Sequence, residues 1–103
     1  MSTVEVVAIT IDPQMGLLVR PVAGHCYEHI YRVANGLRWN GQQSSIVAYE
    51  PQRWAAIELA KHIAKTVHAE YGDLLRLSNA TYWGEVDSST QLAIKQAFNE
   101  AAP

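Results

Sequence analysis

The sequence predicts a small α+β domain: a small antiparallel or mixed sheet of about five strands packed by three helices, in the order ββ-α-β-α-ββ-α. Three observations carry that expectation. The chain opens on a β-branched run that turns back on itself. Its middle holds a long apolar stripe of helical period. Strand and helix patterns do not alternate regularly, so a doubly wound parallel sheet is not expected.

Val4 to Ile11 (VEVVAITI) is almost continuously apolar. Such a run reads as a central strand covered on both faces. Asp12-Pro13-Gln14-Met15-Gly16 follows, with Asp12 and Pro13 suited to the first two turn positions and Gly16 to a left-handed exit. Leu17 to Val22 is the return strand. Pro21 has no N–H to donate, so this strand ends there or lies at an edge.

Gly24 to Leu37 (GHCYEHIYRVANGL) shows no clean alternation. Read as a helix, Cys26, Ile30, Val33, Ala34 and Leu37 form one apolar stripe, and Asn35-Gly36 a left-handed C-cap. This segment is the first expected helix. Arg38 to Gln43 is a polar turn with the hairpin signal Asn40-Gly41, and Ser44 to Glu50 is a strand.

Pro51 suits the first position of the longest helix, from about Gln52 to Tyr71, which Gly72 stops. Its inward stripe is Ala56, Ile57, Ala60, Ile63, Ala64, Val67 and Tyr71. Asp73–Asn79 and Thr81–Val86 read as two short strands. Ser88 with Gln91 has the form of a capping box. The last helix, about Ser89 to Ala101, turns Leu92, Ala93, Ala97 and Phe98 inward.

Residues 1–103 form one compact domain in this reading, long enough to bury a core without disulfides or metal. Hydrophobic residues make up 49% and charged residues 17%, which excludes disorder for the body of the chain. Eight Lys and Arg stand against ten Asp and Glu, for a net charge of −2. Nucleic acid is therefore a disfavoured partner, because a sequence-independent grip needs basic residues concentrated on one face. No apolar run approaches the about 20 residues of a membrane span. The single cysteine, Cys26, cannot form an internal disulfide, and a cytoplasmic location is expected.

No catalytic motif, metal-ligand spacing or glycine-rich phosphate loop is present, so no cofactor and no metal are expected. An enzymatic role is left open, with a non-enzymatic one favoured. The densest polar cluster is His25, Cys26, Glu28, His29 and Arg32. On a helix, His25, His29 and Arg32 share one face, which is either a ligand site or a solvated face with a Glu28–Arg32 pair. Cys26 is either a first-turn thiolate or a small buried residue of the apolar stripe.

The chain carries three Trp and five Tyr but one Phe. Trp39, Trp54, Tyr82 and Trp83 join His25, His29 and Arg32 as candidate ligand-contacting residues, because indole and phenol combine large apolar area with a polar edge. Tyr82 and Trp83 are consecutive, so in a strand they face opposite sides. Two functional expectations follow. One is a binding or protein-interaction module that self-associates, as a homodimer. The other is a small-molecule-binding protein or small enzyme with a pocket around His25, His29 and Arg32.

Overall fold

The computed structural model describes residues 2–12, 14–32, 36–48 and 56–101. Six strands and two helices follow in the order β1 (Ser2–Asp12), β2 (Gly16–Pro21), β3 (Leu37–Asn40), β4 (Ser45–Ala48), α1 (Ala56–Tyr71), β5 (Asp73–Arg76), β6 (Tyr82–Gly84) and α2 (Ser88–Ala101), with a 3₁₀ turn at Ile30–Arg32. The class is α+β with a mixed sheet, ordered β3-β4-β2-β1-β5, and β6 also pairs with β1.

The hairpin at the start is as expected. Asp12 Oδ1 accepts from the N–H groups of Gln14 and Met15 at 2.7 and 2.9 Å, and Gly16 exits at φ 95°. Only glycine adopts that φ without strain. Pro21 ends β2, whose place between β4 and β1 is interior.

β1 is central, but among the described residues the helices cover only one of its faces. Its register shifts between Val6 and Ala8, a β-bulge that moves the inward alternation by one residue. Val4 and Val6 point into the core before the bulge, Ile9 after it, with Ile11 half-buried. On the other face Thr3 and Glu5 are exposed and Ala8 and Thr10 half-buried. The continuous apolar run thus reflects a change of parity along the strand, not burial on two sides.

Two short parallel strands share the far edge of β1, β5 against Ser2–Glu5 and β6 against Ala8–Thr10. Thr81 sits in the connection that joins these two strands. Its buried hydroxyl donates to the Val6 carbonyl at 2.7 Å and accepts from the Ser78 N–H at 3.0 Å.

The first expected helix is not formed over its described residues. Its described part is a loop and one 3₁₀ turn, in which Ile30 N–H donates to Tyr27 O and Arg32 N–H to His29 O. Tyr27 and Ile30 are buried, and Cys26 is exposed. A 3₁₀ turn eclipses residues three apart, so the pair that reaches the core is Tyr27 with Ile30. Gly36, at φ 83°, leads into a strand instead of capping a helix. That strand, β3, occupies Leu37–Asn40, where a turn was expected to begin. Its pattern holds because Leu37 and Trp39 pair with Ala48 and Ile46 on the core side. The turn starts at Gly41, and Asn40 Oδ1 accepts from Gln42 and Gln43 N–H at 3.0 Å. Among the described residues the order is therefore ββ-ββ-α-ββ-α with two helices, not three.

α1 lays Leu59, Ala60, Ile63, Ala64 and Val67 on the sheet. Leu59 replaces the expected Tyr71, which is exposed. The expected start of this helix and Tyr49 lie outside the described residues. α2 packs on α1 through Ile94, Ala97 and Phe98, and a Lys61–Glu100 ion pair at 3.3 Å joins the two helices. Asp87 caps α2, with its Oδ1 2.9 Å from the Thr90 N–H, and Gln91 Nε2 reaches back to Val86 O. Ala97 and Phe98 face inward as expected, but the third inward residue is Ile94, one turn before Phe98, and Leu92 faces outward.

Candidate functional site

The polar cluster of the 3₁₀ turn is a surface string. His29 and Arg32 are exposed and His25 is half-buried. His29 Nε2 lies 3.8 Å from Glu28 Oε1, and Arg32 Nε donates to Tyr31 Oη at 3.3 Å. The Tyr31 hydrogen bond, and then its charge, raise the Arg32 pKa above its usual value. Arg32 thus turns to Tyr31, not Glu28. None of His25, His29 and Arg32 lines either of the two concavities described below.

The buried member of that segment is Tyr27. Its hydroxyl donates to Asp73 Oδ2 at 2.9 Å, on the first residue of β5. Tyr71 stands edge-on to its ring at 4.8 Å and Trp39 at 6.0 Å. Burial, and then the Asp73 hydrogen bond and charge, push the Tyr27 pKa well above the usual tyrosine value. Burial also raises that of Tyr71, followed by the neighbouring Cys26, Glu70 and Glu28. A tyrosine held protonated beside a carboxylate is a tie between the loop and the sheet. Trp39, expected as a ligand residue, is half-buried and packs on the core through this cluster.

Tyr82 and Trp83 face opposite sides of the sheet. Trp83, paired with Ile9, packs on the core, and Lys95 Nζ lies 5.9 Å from its ring centroid. Tyr82, paired with Ala8, is 65% exposed on the side away from the helices. Trp54 lies outside the described residues.

On Tyr82's side of the sheet the registers align two rows. Arg38, Val47, Leu18, Thr10 and Gly84 make one. Ser45, Arg20, Ala8 and Tyr82 belong to the other. Gly84 is required here, because a Cβ would come within 2.9 Å of Thr10 Oγ1. Leu18 and Val47 are buried side by side, outside the main core. Next to them is a groove of about 260 Å³ lined by Thr10, Asp12, Leu18, Arg20, Ser45 and Tyr82 among others. Arg20 Nε donates to Gln43 O at 2.9 Å, which fixes the guanidinium at the rim. Ser45 Oγ donates to the same carbonyl at 2.9 Å.

Sequence reasoning found Tyr82 but missed Arg20, Asp12, Thr10 and Ser45. The alternation in Leu17-Leu18-Val19-Arg20 put Arg20 on the second face. Thr10 was masked by the bulge, which reverses the parity of β1.

The groove supplies a cation, a carboxylate, hydroxyls and a phenol without a nucleophile paired to a base, so it is suited to recognition. Among the described residues no three His, Cys, Asp or Glu side chains gather as metal ligands, and no helix is long and apolar enough to cross a membrane.

No family model matches the chain, and no curated protein matches it. A solved structure of an integron cassette protein, Hfx_Cass5, from the mobile metagenome of the North West Arm sewage outfall, is similar at 27% identity over 96% of this chain and 98% of that one, with a TM-score of 0.45.

Proposed function

We propose that the protein is a protein-interaction module that pairs with a second copy of itself through the helix-free face of its sheet. The observation that carries this reading is the groove beside Tyr82. At about 260 Å³ it falls short of the about 300–1,000 Å³ that encloses a small-molecule ligand. It is large enough for one or two side chains, so what fits it is part of a larger partner.

The charges of the groove favour a second copy. Arg20 and Asp12 both line it, with opposite signs on one patch. A two-fold axis through such a patch sets each cation against the partner's carboxylate. The same axis lays each exposed Tyr82 on the facing groove. Phenol rings at such positions supply contact area at low entropic cost. A stable interface takes roughly 800 Å² per partner, about an eighth of the 6157 Å² surface. The contact therefore extends beyond the groove, whose rim already includes Met15 and Gln43 of the flanking turns.

The alternative reading, a ligand pocket around His25, His29 and Arg32, has less support, since His29 and Arg32 are exposed, His25 is half-buried, and none of the three lines either concavity. Sedimentation velocity over the micromolar range tests the proposal. The wild type should sediment as a concentration-dependent dimer, and Tyr82→Ala and Arg20→Glu should each sediment as monomers. A wild-type monomer at the highest concentration, or dimers in both variants, would refute it.

A further inference from the structure

The second concavity lies apart from the sheet-face groove, between the β5–β6 connection and α2. It has a volume of about 220 Å³, with Leu75 and Phe98 among its apolar lining. Its polar lining is one-sided in charge. Arg76 and Lys95 contribute cations, Asn79 and Asn99 contribute amides, and no carboxylate lines it. In a chain with ten acidic and eight basic residues, two cations without an acid set this cleft apart. Glu5, the register partner of Arg76 on β1, is not part of the lining.

The walls are held in place. Lys95 Nζ rests 5.9 Å from the Trp83 ring centroid, within cation–π range. The turn bearing Asn79 is closed by Ala80 N–H on Ser78 Oγ and by Thr81 N–H on Ser78 O, both at 3.1 Å. Thr81 then anchors that turn to Val6 of the sheet. Amide and cationic donors on a fixed frame match the acceptor oxygens of a phosphate or carboxylate.

We infer that this cleft binds an oxyanion, the phosphate or carboxylate group of a small molecule, between Arg76 and Lys95 with Asn79 and Asn99 as neutral donors. Its volume suits such a group better than a whole enclosed ligand. The rest of the ligand would project to solvent.

Amide-resolved NMR titration with inorganic phosphate, and separately with acetate, tests the inference, using sodium chloride at matched ionic strength as the blank. Saturable shifts confined to residues 74–79 and 95–99 are expected with at least one of the two anions. Saturation by phosphate alone identifies a phosphate site, and by acetate alone a carboxylate site. Arg76→Gln and Lys95→Gln should each weaken binding about tenfold, the scale of one charge-assisted hydrogen bond. Lys65→Gln, an exposed position on α1, should leave it unchanged. Shifts that fail to saturate, that chloride reproduces, or that survive Arg76→Gln and Lys95→Gln combined in one chain would overturn the inference.

Discussion

The two faces of this sheet are built from the same strands to different ends. On the helix side, Val4, Val6, Ile9, Leu17, Val19, Ile46 and Ala48 are all at most 2% exposed and continuous with the helix stripes. On the other side the same strands place Ala8, Thr10, Arg20 and Ser45, small or polar groups around the Leu18–Val47 pair. Apolar packing of the first kind specifies the fold. Polar groups of the second kind, left without a covering layer of helix, are free to specify a partner. The pleat of single strands separates the two sets of side chains, one residue apart.

That separation is most sharply broken from the covered side. Ile63→Ala or Ile9→Ala removes a fully buried side chain and should cost about 2–5 kcal/mol in urea denaturation. Tyr82→Ala, on the other face, should stay within about 0.5 kcal/mol while abolishing self-association. An equal loss of stability in both would erase the distinction between the faces.

The next effect is at the seam of the two edge strands. Thr81→Val keeps the shape but removes the buried hydroxyl bond to Val6 O and the part-buried bond from Ser78 N–H. A loss of about 1–3 kcal/mol is expected, measured by the same denaturation, with fast amide exchange appearing at Ser78. Tyr27→Phe should cost about 1 kcal/mol through the lost Asp73 bond. It removes a tie of the loop to β5 and leaves the open face unchanged, so sedimentation should be as in the wild type.

The smallest effect concerns pH. Hydrogen bonds from the Thr90 side chain and N–H hold the Asp87 carboxyl below the usual aspartate range. A carboxyl whose pKa is depressed by folding contributes stability that is complete above its unfolded pKa and is lost as pH falls through its folded one. The start of α2 should therefore fray in acid. Asp87→Asn, which retains a capping oxygen, should flatten that part of the dependence of the urea midpoint on pH.

How far the sequence disclosed this arrangement follows from which interactions are local. The first hairpin was legible because Asp12 and Gly16 carry out their turn roles within five residues. α1 and α2 were legible from their stripes, and the opposed facing of Tyr82 and Trp83 from the strand period alone. The segment from Gly24 to Leu37 was not. Its conformation is decided by Tyr27 reaching Asp73, 46 residues away, and by β3 pairing with β4. The apolar stripe through Cys26 outweighed both in the sequence. The groove was hidden for a similar reason: the bulge at Val6–Ala8 reverses the faces of β1, and the only local trace of it in a nearly continuous apolar run is that Glu5 and Thr10, five residues apart, share the outward face.

In the proposed dimer the helix-free face meets its own copy at Tyr82. An isotope-filtered NOE experiment on a mixture of labelled and unlabelled protein reads that contact directly, because it records only protons that approach each other between chains. The account predicts intermolecular cross-peaks from the Tyr82 ring to the Ala8 and Leu18 methyls. Cross-peaks from another surface, such as the exposed Leu92 of α2, or none between chains at all, would contradict it.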